Sequence, residues 1–450
     1  MDICNKIQSL QDKLEAIFSE KKLYPALFLG FFVLESLLSL WTGNQYDLGV
    51  WFNTGIWLDQ GINIYLPPNH IGYPPLWALW CGVSYKLYLF FGLNFTFWTF
   101  MIKLPITFGH LVLAYVVGKF AEQHFEKKTS SRIFFFMLTW SFFFFIGSIW
   151  GQINTLSALL TFLAFDSVIK NKTSRGTLFL GLAIALKIYP LVTLPAFIVF
   201  ALKNYGKRDV LKLLVGASSI PVFITVIVFS VFQWDILYFL RTVFYTTPVF
   251  ESNPAQITIG CMNFWSYIGL LDIDISLQWP FRLLWLPLLG IAFIYWIKKE
   301  YVGNRDFTLS IISFYLLFMA TYGWVSEQLF LDILPFLFIL ILGYSFKRVN
   351  VYMLIVLQFL IYVFTIANRS LLIFSPLIWK IYPVLGTYLD YFHLDNALML
   401  WAIRGYSGLA VSVFMLIFLI TLLRPKIWQS IFNMFHRLRG LVISRFNLKK

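Results

Sequence analysis

The chain has 450 residues, of which 59% are hydrophobic and only 12% charged, with a net charge of +14. A soluble domain would carry about 25% charged residues. The composition therefore excludes an ordinary soluble protein and predicts an all-α polytopic membrane protein, since the apolar runs are too long for the alternating strands of a porin-type barrel.

The first 23 residues are charged throughout and read as an amphipathic cytoplasmic or interfacial helix rather than a cleavable signal. The first span is expected at 24–41. Basic clusters at Lys127/Lys128/Arg132, Lys170/Lys172/Arg175, Lys203/Lys207/Arg208, Lys298/Lys299/Arg305, Lys347/Arg348 and Arg424/Lys426 set the inner side. They explain most of the positive charge without nucleic acid. Keeping them all inside requires an odd number of crossings before 127, so one span is placed at 98–119 and 75–92 becomes an outer hairpin or re-entrant helix.

Further spans are expected at 132–149, 152–169, 176–187, 189–202, 210–232, 280–297, 307–322, 329–346, 351–367 and 402–423. That makes about 12 crossings within one transmembrane domain, 24–423, with both termini inside. The basic tail 424–450 is expected on the inner membrane surface. Three long outer segments remain, 42–97, 233–279 and 368–401, and outer loops of such length usually carry function. Cys4, Cys81 and Cys261 form neither a metal motif nor a disulfide framework.

In the first outer segment, Leu48, Trp51, Phe52, Gly55 and Ile56 share one helical face. The spacing predicts a short helix lying on the membrane with that face down. Asp47 starts it as its N-cap and Gly61 ends it. Whether Asp47 is only that cap or also a carboxylate facing a cavity stays open from spacing. Asp59, near the helix end, reads as a solvated surface acid or a second functional acid. The prolines of LPPNHIGYPP impose an extended loop.

In GSIWGQINTLSALL, Gln152 and Asn154 fall where two spans meet without a charged connector. Such amides either tie helix ends together or bond a ligand. Lys187 interrupts the apolar run GLAIALKIYPLVTLP, and Pro190 breaks the helix directly after it. A lysine there needs an anionic partner or must snorkel to the interface. Glu327 and Gln328 sit on a short outer turn, with Asp332 one helical turn inward. Arg369 and Arg404 edge the last outer segment and read as anion-binding groups or interface anchors.

The order YDLGVW, DQGINIY, YPPLW, WGQIN, GLAIALKIYPLVTLP and SEQLFLDILP resembles the GT-C glycosyltransferases that use polyprenyl-phosphate sugars. It is most similar to GPI mannosyltransferase I and the glycosyltransferase family 87 mannosyltransferases. One departure is visible: where GPI mannosyltransferase I has Asp-x-Asp, only Asp47 is acidic and Gly49 takes the second place.

The resemblance implies an inverting transfer of a sugar, foremost mannose, from a polyprenyl-phosphate donor such as dolichyl phosphate mannose. The acceptor would be an extracytoplasmic lipid, glycan or protein. Asp47 would be the general base. Lys187, with Arg369 or Arg404, would bind the donor phosphate. Tyr73, Pro74, Trp77, Gln152, Asn154, Tyr189, Glu327, Gln328 and Asp59 are the candidates for binding sugar or acceptor. No metal or other cofactor is implied, because a phosphate is already a fair leaving group. The placement expected is a prokaryotic cytoplasmic membrane with an outward site, or a lumenal site in an ER membrane. The alternative of another class is a transporter or glycolipid flippase; no internal repeat of the transporter kind is found.

Overall fold

The computed structural model describes residues 24–66, 72–237, 239, 261–271, 283–323, 325–344, 348–368, 384 and 397–424. The expected N-terminal helix, the tail beyond Arg424 and Arg369 lie outside them. All regular structure among the described residues is helical.

The chain opens with α1 (Tyr24–Trp41), α2 (Gln45–Asp59), α3 (Pro75–Phe90) and α4 (Phe95–His124). Next come α5 (Lys127–Thr139), a π-helical turn (Phe143–Ile149), α6 (Asn154–Ile169) and α7 (Thr173–Leu186). A 3-10 turn (Tyr189–Thr193) leads into α8 (Leu194–Asn204) and α9 (Lys207–Phe232). The second half holds α10 (Phe264–Leu270), α11 (Trp285–Lys298) and α12 (Asn304–Thr321). A 3-10 turn (Glu327–Leu329), α13 (Phe330–Phe338) and a π turn (Ile339–Tyr344) form one continuous rod, followed by α14 (Arg348–Ala367) and α15 (Ala397–Leu423).

Six of these rods are long and apolar enough to cross a bilayer: α1, α4, α9, Glu327–Tyr344, α14 and α15. Residues 127–149 make a seventh if its two halves are one span, but they bend by 45°. The expected straight span 132–149 is thus broken, at Trp140–Phe142. Four further apolar helices, α6, α7, Tyr189–Asn204 and α11, are shorter than a full crossing. Several of the dozen expected crossings are therefore short helices packed among longer neighbours. In lipid, such packing rests on close van der Waals fit and satisfied backbone rather than on escape from water.

Two details of the first outer segment differ from the expectation. Asn44, not Asp47, caps α2: its side chain accepts from the backbone N–H groups of Tyr46 (3.0 Å) and Asp47 (3.3 Å). Asp and Asn cap about equally well, so composition does not choose between them. The apolar face of α2 does not lie on lipid either. Leu48, Trp51, Thr54, Gly55 and Leu58 are buried, and α3 covers that face. At Gly55 a Cβ would come within 2.4 Å of Tyr85 Cβ and 2.9 Å of Cys81 O, so only glycine allows this approach.

The segment 75–92 is one helix begun by Pro75, not a hairpin. A second small core of Leu48, Trp51, Trp77, Trp98, Ile153 and Leu186 joins this segment to α4, α6 and α7. Within it Trp51 meets Trp77 edge to face at 5.3 Å, a pairing that contributes about 0.5–1.5 kcal/mol beyond burial.

Candidate active site

Without a capping task, Asp47 stands in the first turn of α2 with its side chain turned to the break between α5 and α6. Its Oδ2 accepts from Trp150 Nε1 (2.7 Å) and Gln152 Nε2 (2.6 Å). Its Oδ1 has no hydrogen bond to a described residue. Partial burial raises the Asp47 pKa above the usual carboxylate value. The Trp150 hydrogen bond, the Lys187 charge and the Gln152 hydrogen bond pull it back.

The turn that carries Trp150 and Gln152 is held from beneath. Gly151 has φ +95°, and a Cβ there would meet Lys103 Cδ at 2.5 Å. The last carbonyls of the π turn find side-chain donors. Ser148 O accepts from Ser39 Oγ (3.0 Å), and Ile149 O accepts from Thr42 Oγ1 (3.1 Å) and Lys103 Nζ (3.2 Å). Lys103 also donates to Thr42 O (2.8 Å), which ties the end of α1 to the same turn. Deeper in the bundle, Glu35 accepts from Ser148 Oγ and bonds His110 Nδ1 (2.7 Å).

Lys187 terminates α7 in extended conformation, and Pro190 keeps the chain from resuming the helix at once. Its ammonium is buried. Nζ donates to Asn154 Oδ1 (2.6 Å) and Gln328 Oε1 (2.8 Å). It lies 5.7 Å from the Tyr73 ring and 5.5 Å from the Tyr189 ring, both within cation–π range. Asn154 Nδ2 in turn donates to Asp332 Oδ2. The partner that Lys187 lacks in sequence is thus supplied from α13 through an amide.

Glu327 is fully buried, and its Oε2 has no hydrogen-bond partner among the described residues. Its Oε1 is 3.5 Å from Asn368 Nδ2. Arg404 is buried, and its Nε donates to Ala367 O (2.7 Å).

The structure therefore brings Asp47, Tyr73, Gln152, Asn154, Lys187, Tyr189, Glu327 and Gln328 into one neighbourhood, with Arg404 at its edge. Trp77 and Pro74 are buried as well, Trp77 against Trp51. Burial, then the Asp47 charge, drives the Tyr73 hydroxyl pKa up. Asp59 is elsewhere: it ends α2, 12 residues or ~18 Å of helix from Asp47, and pairs with Lys86 at 3.7 Å. Among the described residues no cluster of three or more metal-ligating side chains occurs.

Sequence reasoning missed Trp150, whose indole reads as an interface residue until its partner is known. It also missed Lys103, Glu35 and His110. Each is a lone ionisable group in an apolar run, the same signal that singled out Lys187.

The helical architecture is that of an all-α polytopic membrane protein, consistent with the GT-C type. A model of glycosyltransferase family 87 matches residues 66–322, more than half of the chain. The chain belongs to glycosyltransferase family 87 and is a membrane-embedded glycosyltransferase. No curated protein matches it. Tyr73, Trp150, Gln152, Asn154, Lys187 and Tyr189 fall inside the matched range, whereas Asp47, Glu327, Gln328 and Asp332 flank it.

Proposed function

We propose that this glycosyltransferase moves a hexose, mannose foremost, from a polyprenyl-phosphate donor to a hydroxyl of an extracytoplasmic lipid, glycan or protein, with inversion. The observation that carries this reading is the proximity of one carboxylate and one buried ammonium at the same cluster. Among the described residues, one oxygen of the carboxylate and one hydrogen of the ammonium have no partner. Asp47 Oδ1 takes the proton of the acceptor hydroxyl as that oxygen attacks the anomeric carbon. The bond from the anomeric carbon to the phosphate oxygen breaks on the opposite face, and the released negative charge is met by Lys187.

General-base assistance of this kind contributes about 10²–10⁴-fold, and a fixed cation acts where the new charge develops. Tyr73 and Tyr189 flank the ammonium and give the sugar ring aromatic faces. Glu327 Oε2 and Gln152 Oε1, buried and without a partner among the described residues, suit sugar hydroxyls as donors, since an unmet buried acceptor costs ~1–3 kcal/mol. Tyr73, Gln152 and Lys187 lie within the range the family model matches, residues 66–322.

The test uses purified protein in liposomes with a radiolabelled mannosyl-phosphoryl polyprenol. Transfer to a lipid or glycan acceptor is expected from the native chain. It should fall at least 10²-fold in Asp47→Asn. Full activity of that variant removes Asp47 as the base. Movement of intact donor across the bilayer with no covalent product overturns the reaction itself.

A further inference from the structure

Three hydrogen bonds join residues far apart in the chain: Lys187 to Asn154, Lys187 to Gln328, and Asn154 to Asp332. Asp332 is fully buried. It lies one helical turn beyond Gln328 on the same rod. That rod thus meets Lys187 twice, directly through Gln328 and indirectly through Asn154.

The end groups set the direction of the chain. An ammonium offers only donors and an ionised carboxylate only acceptors. The amide between them must turn its NH₂ toward Asp332 and its oxygen toward Lys187. Flipping Asn154 would set donor against donor at one end and acceptor against acceptor at the other. The counter-charge of Lys187 therefore sits one amide away from it. A carboxylate in direct contact would take an ammonium hydrogen and quench the charge at close range. The intervening amide leaves the third hydrogen without an acceptor among the described residues.

We infer that Asp332 is a positioning residue for anion recognition: through Asn154 it orients and balances Lys187 while leaving the ammonium free to receive a phosphate monoester or diester. This rests on the reading of Lys187 as the donor-phosphate group. It adds a residue that makes no contact with substrate.

The test compares native protein in lipid nanodiscs with Asp332→Asn and with the exchange Asn154→Asp plus Asp332→Asn. The exchange preserves the number of charges but puts the carboxylate against Lys187. The probe is polyprenyl monophosphate, followed by binding, together with KM and kcat for the sugar donor. Asp332→Asn is expected to weaken probe binding and raise donor KM at least tenfold, with acceptor KM unchanged. The exchange is expected to keep the native thermal midpoint yet lose probe affinity to the same degree.

Native-like probe binding in the exchange would show that Asp332 only balances charge, and would overturn the inference. So would an Asp332→Asn protein that loses stability but keeps its donor KM. Where Asp332→Asn does not fold, the exchange decides alone. An exchange that does not fold also counts against the inference, because an ion pair in either arrangement should then suffice. The underlying reading fails separately: native protein would bind the probe no better than Lys187→Gln. Native protein that binds the probe but transfers no sugar fails the proposed reaction and leaves the binding comparison intact.

Discussion

Replacing Trp150 by Phe should move the acid limb of transfer to higher pH. The indole Nε1 donates to Asp47 Oδ2 at 2.7 Å, and Phe keeps most of the ring while losing the donor. A hydrogen bond to a charged group contributes about 1.5–3 kcal/mol. With about 1.36 kcal/mol per pH unit, losing it corresponds to a rise of roughly 1–2 pH units. The sign follows from what the bond favours. Burial already raises the Asp47 pKa, and Trp150 is the largest influence pulling it back. A base works only when ionised, so activity falls as pH drops through that value. The assay is kcat/KM against pH for protein in lipid. The native acid limb should lie above the ordinary Asp value of about 3.9. The variant's limb should lie higher still, with most of the plateau recovered in alkali. An unmoved limb, or an equal loss at every pH, would show that Trp150 does not govern the charge on Asp47.

Asp47→Asn should lower turnover at least 10²-fold without lowering the thermal midpoint at neutral pH. A carboxyl whose folded pKa is raised contributes stability below its unfolded value and loses it as pH rises through the folded value; a clear drop in midpoint contradicts this. Lys187→Gln keeps a donor but no charge, so donor KM should rise at least tenfold while acceptor KM holds; an unchanged donor KM refutes the phosphate role. Gly151→Ala forces a Cβ to within 2.5 Å of Lys103 at φ +95°. It should cost about 1–3 kcal/mol of stability and draw Trp150 and Gln152 off Asp47. A native midpoint in thermal unfolding would show that the turn accommodates the methyl group.

The helical, membrane-spanning character was legible because apolar length acts locally. The breaks at Lys187–Pro190 and between the π turn and α6 were likewise marked, by proline in one case and by Gly-Gln-x-Asn in the other, whereas the bend at Trp140–Phe142 carried no such mark. The cap of α2 was not legible, since Asn44 and Asp47 are both good caps and only the geometry of entry chooses. Nor was the partner of its apolar face. An amphipathic stretch beside a membrane suits lipid or protein equally, and α3 decided the matter by packing on Gly55. Asp59 had the same residue type and neighbourhood as Asp47, yet twelve residues of helix carry it away from the cluster.

From the amino-acid order alone came the membrane class, the helical content and single polar residues such as Asp47, Gln152 and Lys187 that an apolar setting makes conspicuous. Those follow from composition and period, which need no knowledge of where the chain goes next. Only the tertiary structure decided which of these residues meet. Asp47 and Trp150 are 103 positions apart, Lys187 and Gln328 are 141, and Asn154 and Asp332 are 178. Hydrogen bonds act over about 3 Å. The packing of α2, α6, α7 and α13 is what brings Asp47, Lys187 and Asp332 within that reach of the side chains they bond.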